Sequence, residues 1–493
     1  EIRLSLVGSE MCIRDRSSNN HPSQLTFRNS AFRGWIGVAR RDMTPSVGIY
    51  SRSWGAAEHD TAEGVHRPLV VTVLTLSTGS DGTPFVLAAI DGGAWASPSI
   101  VDELRRALCE KCGSDENCIL LSLTHTHAGA PLFLGGDYHG FPGGEYVADA
   151  FDSLRSGILE AASESIASRV ECDLTWNYGR CALAANRELP DPNSERFLVG
   201  FNPQLAADDR VLVGRITDMS GCIRATLVNY ACHPTSMAWG NRLLSPDYVG
   251  ALRELVESHT GGAVCMFLQG ASGELSPQFD FSSDPEVADA QGRQLGWSVL
   301  STLEGMLPPK KLLRFAETVE SGTPLGKWKL ADADPSRMLA TCGAKVNIEL
   351  KSELPTTKEL ELQLEGCTDR VAAERIRRQI RLRGWIGEGT HTEFPLWVWQ
   401  IGDSLLVAQP GEAYSQLQVA LRDRFPDRAV AVLNLVNGSP AYLPPADRYG
   451  ADIYAVSQTP YARGALESLQ ESAIQTCDNM LASALTTDGP KRS

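Results

Sequence analysis

One pattern constrains this chain more than any other: short, unbroken apolar runs alternate with stretches of helical periodicity. The runs at 68–76, 84–91, 118–123, 211–216, 225–231, 263–268, 396–401, 405–408 and 429–436 have the length and side-chain content of buried strands. A further strand and turn open the ordered part at 34–45. Helical spacing fills 97–109, 145–168, 248–259 and 465–485, with Ser97 or Ser99 available to cap the first. This alternation predicts an α/β fold, a mixed β-sheet core flanked by helices. The 493 residues would allow two units, but no internal repeat or low-complexity linker divides them, so a single large domain is expected. Residues 359–383 form a charged, helical stretch that Gly366 interrupts, and the whole segment 309–394 is expected to be a lid or surface insertion.

Composition removes several partner classes. A formal net charge of −15 and a pI of about 5.2 argue against nucleic acid. No polybasic run marks docking on anionic lipid. No run approaches the roughly 18 apolar residues of a transmembrane helix. Among 12 scattered cysteines only Cys109, Cys112 and Cys118 cluster, and without a second CxxC they read as a helix end and loop rather than a zinc site. The first residues, EIRLSLVGSEMCIRDR, lack the order of a signal peptide. SLVGSEMCIRDR resembles translated sequencing-adapter read-through, so residues 1–16 are set aside. Residues 1–33 are expected to be a disordered or artefactual extension of a domain at 34–493.

Chemistry-bearing residues collect where apolar runs end. The first stretch, LSLTHTHAGAP, places His125 and His127 two residues apart after 118–123. On a strand end both imidazoles would leave one face, as metal ligands, a catalytic pair or two hydrogen-bonded core histidines. His233 follows a second run in VNYACHPTSM, where Pro234 forces a turn. Glu274 and Ser276 follow a third in FLQGASGELSP, Glu412 a fourth in LLVAQPGEAY, and Tyr442 a fifth in LNLVNGSPAYLPP. Open α/β sheets bind ligands outside the carboxyl ends of their strands, so an active site at these strand ends is expected. Two histidines and a carboxylate are a ligand set for catalytic zinc, which suits amide or ester hydrolysis. Blander roles exist for each group: a turn residue for Ser276, a solvated turn carboxylate for Glu274, proline packing for Tyr442, and pairing with Glu188 for Arg187.

HTHAGAP, NYACHPTSM, GELSP, PGEAY and NGSPAYLP occur in this order and resemble successive motifs of the neutral/alkaline, non-lysosomal ceramidase family. GWIGVARRDMTP, GVHRPLVVTVLTL, Asn186-Arg187 and NRLLSPD at 241–247 resemble its N-terminal portion, so the resemblance covers about 34–485. It implies hydrolysis of the N-acyl amide bond of ceramide or a ceramide-like lipid with one zinc ion, by attack of zinc-bound hydroxide. It implies His125, His233 and Glu412 as zinc ligands, with Tyr442 completing the sphere or lying against it. His127 and Tyr442 would stabilise the oxyanion, and Arg187 and Glu274 would bind substrate. Ser276 would act as nucleophile or as a positioning hydroxyl. Positioning is favoured, because zinc already supplies a nucleophile and no histidine is spare to serve as its base.

The sequence departs from the family pattern in three places. Glu274 stands where the family often has Asp, AGAP follows the HTH where a serine, glycine, proline run is usual, and the family's C-terminal β-sandwich is expected to be absent. That domain is associated with work at lipid surfaces, so a soluble N-acyl amide or ester competes with ceramide as substrate. The resemblance favours a secreted or periplasmic protein and sets no oligomeric state. A barrel amidohydrolase with its own HxH would need further ligands at strand ends, and only His259 and His391 remain late in the chain. A lipid- or carbohydrate-binding relative with a dead site is disfavoured because every ligand type is present.

Overall fold

The apolar runs do become strands, and they assemble into two sheets stacked face to face. The computed structural model describes residues 25–133, 138 and 140–487. Strands β1 (Ala31–Asp42), β2 (Val70–Ser77), β3 (Phe85–Ile90), β4 (Ile119–Leu123), β5 (Val170–Arg180), β6 (Arg210–Asp218), β7 (Ile223–Tyr230) and β8 (Val264–Gln269) form the larger sheet. Its order is β8-β7-β6-β5-β1-β2-β3-β4. Strands β9 (Leu339–Glu349), β10 (His391–Ile401), β11 (Ser404–Ala408) and β12 (Val430–Leu433) form the smaller one in sequential order.

Helices cover both outer faces. On the larger sheet, α1 (Pro98–Cys112) and α2 (Val147–Ala167) pack over β2 to β4, burying Leu104, Leu108, Phe151 and Ile158. At its other end α3 (Tyr248–His259) and α4 (Pro285–Glu304) cover β6 to β8 with Leu252, Val256, Leu295 and Val299. The sheets meet through Leu74, Leu87 and Met266 on one side and Trp397, Trp399 and Leu406 on the other. The smaller sheet's far face carries α7 (Gln416–Arg424) and α8 (Ala465–Thr487). The result is a four-layer, single-domain mixed α/β fold. Burying both faces of each sheet explains why the strands read as continuous apolar runs rather than alternating ones.

Three neighbouring pairs are parallel: β3 with β4, β7 with β8, and β11 with β12. A parallel pair needs a crossover, and α1, α3 and α7 supply it. Each unit brings two carboxyl ends to the same side. The segment after β12 ties the edges of the larger sheet together there. Leu123 N donates to Leu435 O (3.3 Å) and Asn434 N to Gln269 O (3.1 Å). The Asn437 side chain accepts from Leu121 N (2.8 Å) and donates to Ile119 O (3.1 Å), capping the free edge of β4.

Several expectations change. The strand before the HTH ends at Leu123, so both histidines lie in the following loop. Residues 25–33 belong partly to the fold: Thr26–Phe27 pairs with Lys311–Glu320, and β1 starts at Ala31; residues 1–24 lie outside the described residues. The segment 309–394 divides. Lys311–Glu320 and Pro324–Asp332 make an exposed hairpin, β9 is an integral strand of the smaller sheet, and α5 (Thr357–Glu365) and α6 (Arg370–Ile386) form the helical pair that Gly366 separates. Helix α4 escaped the periodicity reading, although Asp284 caps it and Pro285 begins it. Gly292 allows its close approach to α3, since a Cβ there would lie 2.2 Å from Tyr248 O. Cys109 and Cys112 lie in the last turn of α1, before Gly113 at φ 63°. No helix among the described residues is long and apolar enough to cross a membrane.

Candidate active site

Three side chains from three strand ends meet: ligand atoms of His125, His233 and Glu412 all lie within 4.8 Å of one another. Each imidazole is anchored by a carbonyl, which accepts but never donates. His125 Nδ1 lies 2.6 Å from Gly93 O, and His233 Nδ1 lies 3.0 Å from Leu275 O. Both Nδ1 atoms therefore carry the proton, and both Nε2 atoms present lone pairs. These point at one oxygen, Glu412 Oε2, at 3.3 Å from His125 and 3.0 Å from His233. His125 reaches this pose through a left-handed backbone, φ 70°, which a non-glycine residue adopts only when its surroundings impose it.

Three converging acceptors repel one another unless a cation or proton lies between them. Burial and the adjacent Arg187 guanidinium push His233 down to about 3, so a proton on His233 does not resolve the conflict at neutral pH. The donor set therefore fits a divalent cation, and the two anchoring carbonyls are the outer-shell partners such a site uses.

The other candidates surround this cluster at different ranges. Tyr442 pairs with Glu412 in a short parallel bridge, which sets its phenol beside the carboxylate. Burial pushes its phenol well above the ordinary value, so it stays a donor. Arg187 is buried without a salt bridge of its own among the described residues. Its Nη2 donates to Gly273 O (2.8 Å) and Tyr442 Oη (3.2 Å), and lies 3.2 Å from His233 Nε2. His127 lies 4.8 Å from His125, ring to ring, with a buried Nε2 that has no partner among the described residues. Burial and the two neighbouring histidines hold it well below its ordinary pKa, hence neutral.

Ser276 and Glu274 are engaged within the protein. Ser276 is buried close to Asp280, whose carboxylate accepts from Thr235 Oγ1 (2.8 Å) and which burial raises to about 7. Glu274 accepts from Ser415 N at 3.0 and 3.1 Å and from the Ser415 hydroxyl. It thus clamps the turn that carries Glu412 rather than pointing into the ligand cluster. Sequence reasoning missed Asp91 and Arg253, a buried bidentate pair (3.0 and 2.7 Å). Asp91 also accepts from Thr124 Oγ1 (3.1 Å) and Val70 N (2.9 Å), tying the Gly92-Gly93 turn to the loop of His125. The acid at the end of β3 was a visible signal; an arginine on a buried helix face was not. Asp280 and Trp54, whose ring lies 5.2 Å from that of His127, were missed too.

Residues 35–288 match the family model for the neutral/alkaline non-lysosomal ceramidase, N-terminal region. The chain belongs to that family. The neutral ceramidase of Pseudomonas aeruginosa is 24% identical over 251 residues, which are 50% of this chain and 37% of the relative. Neutral ceramidase B of Dictyostelium discoideum is 30% identical over 175 residues, 32% of this chain and 23% of the relative. These matches span well under half the length of the curated relatives. A crystal structure of the Pseudomonas aeruginosa neutral ceramidase shares the fold at TM-score 0.61 and 19% identity, over 90% of this chain and 74% of that one. A ceramidase complexed with C2 aligns at TM-score 0.64 and 19% identity, over 94% and 76%. The ceramidase family model covers His125, His233 and Ser276, while Glu412 and Tyr442 lie beyond the matched segment.

Proposed function

We propose that this protein is a zinc-dependent amidohydrolase that cleaves the N-acyl amide bond of ceramide or a ceramide-like lipid. The convergence of His125, His233 and Glu412 carries the reading, and membership of the ceramidase family supports it. Two histidines and one carboxylate are a catalytic zinc set with a position left open. Zinc bound there would polarise a carbonyl and lower the pKa of a water to about 7.

The chain's own groups take the remaining tasks. Tyr442 donates its phenol proton toward the carbonyl oxygen as charge develops, and neutral His127 supports it from the other side of His125. A positioned donor of this kind is worth about 10²-fold in rate. Arg187 orients the Tyr442 hydroxyl and adds positive charge beside the reacting carbonyl. Ser276 positions substrate through its contact with Asp280 rather than attacking. Glu274 serves substrate binding indirectly, by fixing Ser415 and with it the Glu412 turn. A proton passes to the leaving amine as the C–N bond breaks. The described chain from Leu25 onward acts as one hydrolase domain, with the α5–α6 pair as its lid.

A soluble N-acyl amide or ester is the second reading, favoured by the arginine-rich helix α6. Fatty-acid release from ceramide and from a short soluble N-acyl amide, measured side by side with and without chelator, tests both. Chelator-sensitive release that zinc restores is expected. Release that ignores the chelator, or none from either substrate with zinc bound, would overturn the proposal.

A further inference from the structure

Two segments that resemble the family, GVHRP at 64–68 and NRLLSPD at 241–247, contribute nothing to the ligand cluster. They meet in the fold. Gly64–Val65 and Leu243–Leu244 pair in parallel, and His66 N donates to Leu244 O (2.8 Å). This pairing sets the His66 ring between Ser245 and helix α4. Nδ1 lies 2.9 Å from Ser245 Oγ, and Nε2 lies 3.1 Å from Asp289 Oδ1. Arg67 Nη1 lies against the same Nε2 and donates to the same Asp289 oxygen, while its Nε donates to Glu254 Oε1 on α3 (2.9 Å). In either tautomer the imidazole therefore bonds to Ser245 on one side and to the Arg67–Asp289 pair on the other.

Serine, histidine and aspartate in this order are the arrangement that activates a nucleophile in other hydrolases. Ser245 is fully buried, however, and its Oγ already accepts from Asp247 N (2.9 Å), so no substrate reaches it. What the arrangement does is hold the serine still. Ser245 in turn brackets His127. Ser245 N donates to Ala128 O (2.9 Å), and Ser245 O accepts from Thr126 Oγ1 (2.7 Å), which itself accepts from Ala128 N (3.2 Å). The residues on both sides of His127 are thus tied to one buried residue. His127 has few polar contacts of its own: its N reaches Pro234 O only at 3.5 Å, and its Nε2 has no partner among the described residues.

We infer that His66 is a positioning residue for His127, acting through Ser245 and anchored by Asp289 and Arg67. The inference rests on the part given to His127 in the hydrolase reading above. An unpartnered ring nitrogen serves a substrate carbonyl only from a fixed place, since a misplacement of about 1 Å can cost about 100-fold in rate. The candidate metal ligands are oriented by other groups, His125 by Gly93 O and His233 by Leu275 O. Loss of His66 therefore acts on turnover and spares the metal.

The test uses the full zinc-loaded chain. His66→Leu breaks both contacts of the ring, and His66→Asn places a side-chain amide near the Nδ1 position and keeps the contact with Ser245. Amide exchange in peptides covering 126–128 and 244–247 is followed by mass spectrometry. Zinc content is measured beside it, with kcat and KM from laurate release by N-lauroylsphingosine. In His66→Leu, exchange is expected to rise and kcat to fall, each by about tenfold or more, with zinc content and KM unchanged. His66→Asn returns both toward their starting values. In a His127→Ala background His66→Leu lowers kcat no further, because the group it positions is gone. Should His66→Leu fail to fold, Ser245→Ala removes only the hydroxyl and is expected to give the same changes. Unchanged exchange, or losses of kcat that multiply with that of His127→Ala, would overturn the inference. Raised exchange in the variants, with no turnover even in the unsubstituted chain, would sustain the brace and remove the hydrolase reading instead.

Discussion

His125 and His233 follow strands of the larger sheet, inside the segment 35–288 that matches the family model, whereas Glu412 and Tyr442 pair with each other just beyond strands of the smaller sheet, outside that segment. The larger sheet prepares its two candidate ligands in advance: backbone carbonyls orient both rings, and the Asp91–Arg253 pair braces the His125 loop. The smaller sheet relies on contacts across the interface, with Glu274 of one holding Ser415 of the other and Arg187 reaching Tyr442. Neither sheet supplies a three-residue metal group alone. The site is thus a property of how the sheets pack, and damage to either half should report differently.

The widest separation is expected from the ligands themselves. Glu412→Gln and His233→Gln should each lower metal affinity by more than about 100-fold, beyond the 10–100-fold typical of outer-shell partners. Metal content after dialysis and fatty-acid release give the readout. Metal retained in full by the Glu412 variant would mean that the smaller sheet contributes no ligand.

Bracing of the larger sheet is examined by Arg253→Met, which leaves Asp91 charged and buried. A loss of about 3–5 kcal/mol in urea unfolding is expected. A loss under about 1 kcal/mol would show that the Asp91 carboxylate finds other support.

The contact across the interface has a pH signature. Burial raises Glu274 from 4.5 to about 7 in the folded chain. The native state then holds a proton that the unfolded state has lost between these values, so this group's contribution to stability falls as pH rises through the window. The slope is at most about 1.4 kcal/mol per pH unit. Metal-free protein compared with Glu274→Gln by denaturant unfolding at pH 5, 6 and 7 isolates it; parallel curves would refute the assignment.

The smallest effect should come from Lys345→Ala on the solvent face of the smaller sheet, where the ion pair with Glu393 is exposed on both sides. A change of about 0.5 kcal/mol or less is expected. A larger one would show that β9 and β10 depend on surface charge as much as on the interface.

Much of the fold was legible because burial on both faces leaves unbroken apolar runs, and β2 to β4 and β6 to β8 coincide with them. The turn at Gly366, the helix α3 and the late helix α8 were equally visible from local periodicity. Less legible were α4, whose packing face uses Gly292 rather than large apolar groups, and the exposed hairpin at 311–332. The order of the motifs placed His125, His233, Glu412 and Tyr442 as candidates, since the end of a strand and its turn are written in adjacent residues.

Which of these residues meet is a different kind of information. The left-handed backbone of His125, the carbonyls that choose its tautomer, and the turning of Glu274 toward Ser415 depend on neighbours distant in sequence. So do the pairing of Asp91 with Arg253 and the placement of α6 across the mouth. Hydrogen bonding along a strand or helix leaves a periodic trace in sequence, and the sequence alone determined those elements and the chemistry at their ends. Packing of one sheet on another leaves no local trace, so the tertiary structure alone decided that the three ligand groups share one place.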